Sequence, residues 1–303
     1  MGVSQRSGWP QNFQAQFSLY ELPAHKEILM SHRSRLLGFA AMGLTCLALQ
    51  PAYAGNIFLT GHDPDFHAQS SVGAQNLLKA GLNFVSSGAY ANSAVKFLWV
   101  ESFVAPTPGH LVGENGLTAI GLTLGSHFDW VDAAGLATVN FSNYEAVAIA
   151  SSFGGMLTRA ELDGLIARSA DIAAYVNAGG GLLALSECSP ASGFCLDDTL
   201  GAGPSPFGFL PVAVTSVATT APYGLTAAGS LLFPTLTNAD MNDATHNSFG
   251  LVGGLTVVDT DAAGVATTLA GSVSITPGGF VPEPSSLALA ALGVLGLVAR
   301  RRR

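Results

Sequence analysis

Residues 144–186 read YEAVAIASSFGGMLTRAELDGLIARSADIAAYVNAGGGLLALS, and this stretch carries one whole strand–helix–strand repeat. Tyr144–Ala150 (YEAVAIA) is a nearly continuous apolar run of strand length, as in a strand buried on both faces. Thr158-Arg-Ala-Glu161 has the form of a capping box, in which hydroxyl and carboxylate satisfy orphan N–H groups of a first helical turn. Leu162, Ile166, Ile172 and Val176 supply the apolar face of that helix. It ends at Gly179-Gly180-Gly181, where glycine can take positive φ. LLALS then resumes an extended run.

The same alternation extends outward on both sides. Asn56–Thr60 (NIFLT) is a short apolar run, and Gln69–Val85 shows helical spacing through Val72, Leu77, Leu78 and Leu82. Lys96–Val100 (KFLWV) reads as a strand, Gly113–Leu124 as a helix, and HFDWV as extended. Strands alternating with helices predict an α/β fold with a mostly parallel sheet and helices on both faces. Ala213–Ile275, rich in Val, Thr and Gly, reads as added strands. No internal repeat or threonine ladder is present, which argues against a β-solenoid.

YEAVAIASSFGG, the capped helix and YVNAGGGLLALS together resemble class I glutamine amidotransferase-like domains, with a flavodoxin-like sheet, over the section from Gly55 to Ser189. In that family a cysteine nucleophile follows the strand within G-[IL]-C-x-G. Here Ser186 stands where the thiol belongs and Cys188 where the elbow needs glycine, so amidotransferase chemistry is not expected. A serine at such an elbow needs a histidine and an acid. His246 in THNSFG is the downstream histidine for a Ser186–His246 hydrolase, with no acid identifiable. The simpler reading leaves Ser186 as a hydroxyl satisfied by nearby backbone.

The second concentration of chemistry is Gly61-His62-Asp63-Pro64-Asp65-Phe66-His67, directly after the first apolar run. Ligands of open α/β sheets bind beyond the carboxyl ends of strands. His62, Asp63, Asp65 and His67 could therefore hold a divalent metal such as zinc, or a sugar. Alternatively the aspartates build the turn and cap the next helix.

The chain's ends read as addresses. Residues 281–303, VPEPSSLALAALGVLGLVARRRR, combine Val281, Pro282, Glu283 and Pro284 with an apolar run and Arg300, Arg301, Arg302 and Arg303. A run of about a dozen residues makes a helix of roughly 18–22 Å, short of a hydrocarbon core of about 30 Å. The arginines would hold its far end at the cytoplasmic face. The order resembles the PEP-CTERM sorting signal, a tag also described as an ice-binding-protein C-terminal domain. That resemblance implies recognition by an exosortase in the inner membrane of a Gram-negative, exopolysaccharide-making bacterium.

At the other end, MSHRSRLLGFAAMGLTCLALQPAYA (residues 30–54) has the three parts of a secretory signal, with cleavage expected between Ala54 and Gly55. Residues 1–29 lack periodicity and read as a non-native extension, with translation starting at Met30. The expected organisation is thus extension (1–29), signal peptide (30–54), α/β domain (55–280) and sorting signal with a short transmembrane helix (281–303).

In that body Lys79, Lys96, Arg159 and Arg168 face seventeen acidic residues, a formal −13 against −8 for the whole chain. Such a surface repels phosphate backbones and excludes nucleic acid as a partner. Of three cysteines, Cys46 leaves with the signal peptide. Cys188 and Cys195 then remain as an even pair in an exported chain, the pattern of a small disulfide loop. The expected protein uses the Sec machinery and exosortase, meets the inner membrane transiently, and ends in the envelope or outside the cell. A non-enzymatic role beside exopolysaccharide in biofilm is the leading expectation, with the serine hydrolase and the metal- or carbohydrate-binding module as alternatives.

Overall fold

A computed structural model describes residues 54–104, 113–152, 156–185, 208–243 and 245–273. In chain order the elements begin with β1 (Asn56–Thr60), α1 (Pro64–His67), α2 (Val72–Val85) and β2 (Phe97–Val100). There follow α3 (Glu114–Ala119), β3 (Phe128–Val131), α4 (Ala133–Leu136), β4 (Ala146–Ile149), α5 (Arg159–Ala167), α6 (Ser169–Asn177) and β5 (Gly181–Ala184). The last part holds β6 (Val214–Val217), β7 (Gly224–Leu225), α7 (Ala227–Leu232), α8 (Asn238–Met241), β8 (Ser248–Val252), β9 (Thr256–Thr260) and β10 (Ala266–Ser272).

The apolar run that begins at Tyr144 becomes β4, with all four residues buried. It lies between β2 and β5, parallel to both, with Leu98 opposite Val147 and Ala146 opposite Gly181. β3 continues the parallel order beyond β2, and β1 beyond β5. Five parallel strands therefore run β3-β2-β4-β5-β1. β1 then pairs antiparallel with β10, which leads to β8 and β6, while β9 joins β10 and β7.

Among the described residues the sheet is thus mixed, with ten strands, rather than mostly parallel or flavodoxin-like. Its added strands do more than extend it. β10 covers the open hydrogen-bonding edge of β1, an edge that would otherwise invite pairing with another chain. The expectation of added strands over Ala213–Ile275 agrees with β6–β10, although α7 and α8 interrupt them. Trp99, Phe58, Phe97 and Phe128 are fully buried in the core, where Phe97 and Phe128 stack with centroids 5.4 Å apart.

The capping box forms as the sequence implies: Thr158 N–H donates to Glu161 Oε2 at 3.0 Å. The helix it starts is broken in two at Arg168, whose φ is −102°. The guanidinium accounts for the break. Its Nη1 donates to the carbonyls of Leu136 (2.8 Å) and Val139 (2.7 Å), and its carbon lies 4.1 Å from the Phe141 ring centre. Three fixed contacts outweigh the one residue of helix they interrupt.

Candidate functional site

The carboxyl ends of β1, β2 and β4 deliver the polar groups. β2 has β3 on one side and β4 on the other, so the chain changes direction there, and this is the position at which open α/β sheets place their ligands. Glu101 follows β2, Ser151 follows β4, and the Gly61–His67 segment follows β1.

Successive residues of that segment face different halves of the sheet. His62 turns to the antiparallel half and is buried. Its Nε2 lies 2.8 Å from Asp259 Oδ2 and its Nδ1 lies 2.7 Å from Thr245 Oγ1. Thr245 Oγ1 donates in turn to the carbonyl of Asp243 at 3.0 Å, so it accepts from His62. The edge of the ring rests on Tyr223, with centroids 5.3 Å apart.

Asp63 and Asp65 turn to the parallel half. Ser151 N–H donates to Asp65 Oδ2 at 2.9 Å, and Ser151 Oγ donates to Asp63 Oδ1 at 3.2 Å. Asp65 Oδ1 meets no hydrogen-bond partner among the described residues. A buried carboxylate oxygen left in this way favours the protonated acid.

Burial drives this protonation. It pushes Asp65 well above its usual range, with the charge of Asp63 adding to the shift. Burial also raises Asp63 to about 6, limited by its hydrogen bonds to Asp65 and Ser151. Near neutral pH the pair is one acid and one carboxylate.

Glu101 completes an acidic group of three. Its Oε2 accepts from Trp99 Nε1 at 2.9 Å, and its Oε1 accepts from Gly113 N at 2.7 Å and Met156 N at 2.9 Å. Burial and then the charge of Asp65 push its carboxyl up to about 8 despite these donors. α3 lies close over the cluster because Gly113 and Gly116 lack side chains. A Cβ at Gly116 would strike the Asp65 backbone, and one at Gly113 would lie 3.0 Å from Asp65 Oδ2 and from Glu101 Oε1.

Two imidazoles face the remaining oxygen of the carboxylate. His246 Nε2 lies 3.6 Å and His67 Nε2 3.8 Å from Asp63 Oδ2. These gaps exceed a direct hydrogen bond and suit a bridging water or a small polar group. His246 is placed by its backbone, whose N–H donates to Gly61 O at 2.8 Å. Burial lowers it to about 4, so the ring is neutral at physiological pH. His67 reaches a second acid, with Nδ1 3.5 Å from Asp243 Oδ1.

The four residues expected to form one ligand set therefore separate. Both ring nitrogens of His62 are engaged away from Asp63, Asp65 and His67. Among the described residues no three His, Cys, Asp or Glu side chains converge on a metal-sized point. The turn-and-cap alternative matches the positions, with Asp63 at the N-cap of α1 and Asp65 in its first turn.

Sequence reasoning identified no acid for His246; in the structure Asp63 Oδ2 lies 3.6 Å from its Nε2. The same reasoning missed Glu101, Ser151 and Asp259. A signal existed for each: Glu101 and Ser151 stand just past a buried apolar run, and Asp259 interrupts one. Ser186, Cys188 and Cys195 lie outside the described residues, as do Pro282, Glu283, Pro284 and the terminal arginines. The described chain nearest to Ser186 is Leu185, whose N–H donates to Ile149 O at the same edge, 3.0 Å away.

The opposite, amino-terminal edge carries an open cleft of about 490 Å³. Lys96, Asp129, Tyr144 and Glu145 line it, with Lys96 Nζ 2.9 Å from Asp129 Oδ1.

Comparison with known proteins finds one family. The PEP-CTERM protein-sorting motif matches residues 280–303. No curated protein and no solved structure matches the chain. The amidotransferase-like resemblance thus has no relative behind it, and the mixed sheet departs from it. The motif marks an exosortase-sorted, exported protein, processed at the membrane and then found at the cell surface. No helix among the described residues is long and apolar enough to cross a membrane; the apolar run of the tail lies outside them.

Proposed function

We propose that this chain is a cell-surface or matrix protein whose α/β body works without catalysis beside exopolysaccharide, after exosortase removes its tail. The sorting motif at residues 280–303 carries this reading. The acidic surface and the internally satisfied groups of Glu101 and His62 agree with it. Export begins with cleavage between Ala54 and Gly55, and the tail is cut near Pro282–Pro284. Intact-mass measurement on the exported protein tests both cuts. A product that keeps Arg300–Arg303 would point to a permanent anchor. Growth of a deletion strain with unchanged biofilm and matrix retention would remove the exopolysaccharide association.

A second reading, a hydrolase, is favoured by one observation. His246 is a neutral imidazole 3.6 Å from the ionised Asp63, the base and orienting acid that a serine nucleophile requires. Ser186→Ala and His246→Ala would each abolish an ester- or amide-cleaving activity if this reading held. Activity present in the wild type and lost in both variants would displace the non-catalytic reading.

A further inference from the structure

The cleft at the amino-terminal edge of the parallel strands belongs to neither reading above, and its walls are fixed. Three adjacent strands, β3, β2 and β4, begin there. Lys96 precedes β2, Asp129 lies in β3, and Tyr144 and Glu145 precede β4. Glu145 N–H donates to Lys96 O at 3.0 Å, and Gly181 N–H donates to Glu145 O at 3.1 Å. Tyr175 Oη donates to the Tyr144 carbonyl at 3.1 Å. The volume of about 490 Å³ falls within the range of about 300–1,000 Å³ that small-molecule sites occupy.

Some polar groups of the cleft are already engaged and others are open. Asp129 Oδ1 accepts from Lys96 Nζ at 2.9 Å, and Oδ2 accepts from Tyr144 Oη at 3.2 Å. The ammonium is thereby neutralised within the cleft. Burial, and then the charge of Asp129, raise the Tyr144 phenol, so its proton stays in place. Each oxygen of Asp129 keeps a second lone pair for a ligand. Asn143 and Glu145 are exposed and, among the described residues, hydrogen-bond only through their backbones. Val95, also exposed, adds an apolar surface to the lining.

These groups select a ligand by its chemistry. Carboxylates only accept hydrogen bonds, whereas the Asn143 amide both donates and accepts. A hydroxyl, which also does both, satisfies either kind. With Lys96 paired to Asp129, Glu145 leaves one excess negative charge, so an anionic ligand is repelled. A neutral sugar ring combines adjacent hydroxyls with an apolar C–H surface and carries no charge.

We propose that this cleft binds a neutral saccharide, with Asp129, Asn143 and Glu145 pairing its hydroxyls and Val95 against its C–H surface. The proposal goes beyond the exopolysaccharide reading by naming a site, and rests on that reading only for the polymer as the source of the saccharide.

Ligand-observed saturation transfer on the exported protein tests it. The probes are neutral tetrasaccharides of glucose, galactose and mannose, with tetragalacturonate as the anionic counterpart. Wild-type protein is expected to bind at least one neutral probe more tightly than tetragalacturonate. Asn143→Ala and Glu145→Ala should each weaken that binding about ten-fold, the effect of one lost hydrogen bond. Neither side chain holds another part of the body, so the loss reports the cleft and not the fold. No neutral probe bound, tetragalacturonate bound as tightly, or binding unchanged in either variant overturns the proposal. Matrix polysaccharide purified from the producing strain separates the two readings. Polysaccharide held equally by wild type and both variants overturns the cleft as its site. A neutral probe held at the cleft, with no polysaccharide held by the wild type, overturns exopolysaccharide as the source.

Discussion

His62 Nε2 lies 2.8 Å from Asp259 Oδ2 with both side chains buried, and this pair joins the parallel half of the sheet to the antiparallel half. The two residues are 197 positions apart in the chain. Removing one partner of a buried pair leaves the other without compensation, which costs about 3–5 kcal/mol. His62→Ala should lower the stability by that amount in chemical unfolding. The double variant His62→Leu, Asp259→Leu should recover most of the loss, since the unpaired charge is gone. A double variant no more stable than the single one would assign the loss to packing against Tyr223.

Stability should depend on pH through the acid cluster. Glu101 is raised to about 8 and Asp63 to about 6, so the folded state holds protons that the unfolded state has released. Their contribution is fully present below the unfolded values near 4 and is lost as pH rises through about 6 and then 8. His246 has the opposite sign. Lowered to about 4, it contributes fully above 6.5 and loses that contribution as pH falls toward 4. Above pH 6.5 only the carboxyl effect remains, so the midpoint of thermal unfolding should fall from pH 6.5 to 8.5. Glu101→Gln should flatten that fall; an unchanged slope would remove Glu101 as its source.

Glu161 caps two helices at once. Its Oε2 accepts from Thr158 N at 3.0 Å and its Oε1 from Ala133 N, the first residue of α4, also at 3.0 Å. A lost cap costs about 1 kcal/mol. Glu161→Ala should therefore destabilise by about 2 kcal/mol, against about 1 for Thr158→Ala. Equal losses would show that the bond to Ala133 contributes nothing.

Cys188 and Cys195 should be bonded in the exported protein. Closing so short a loop removes unfolded-chain entropy worth about 2–3 kcal/mol, less any strain. Thiol labelling of unfolded, unreduced protein should find no free sulfhydryl. Stoichiometric labelling at Cys188 would instead point to a reactive thiol beside Ser186.

Zinc should leave the unfolding midpoint unchanged at concentrations that saturate ordinary sites. His62 has no ring nitrogen to spare, and His67 and His246 address one oxygen of Asp63 from 3.8 and 3.6 Å. A rise in midpoint that vanishes in His67→Ala would establish a metal site on the loop.

The local elements and the export address were legible from the chain itself. Apolar runs, a capping box and a glycine stop act between near neighbours, so YEAVAIA and the Thr158 helix start were readable without a partner. The sorting tail is linear too, since a signal read by other machinery depends on order along the chain. Sheet composition and the acid cluster were decided only in three dimensions. Whether β10 pairs with β1 depends on an edge made 200 residues earlier, and Arg168 breaks its helix because carbonyls at 136 and 139 come within reach. The protonation of Asp65 and the neutrality of His246 follow from burial, which no residue possesses alone. Aspartate carries the same side chain on any loop; here burial beneath Ser151, Glu101 and α3 raises Asp63 and Asp65 above their usual range.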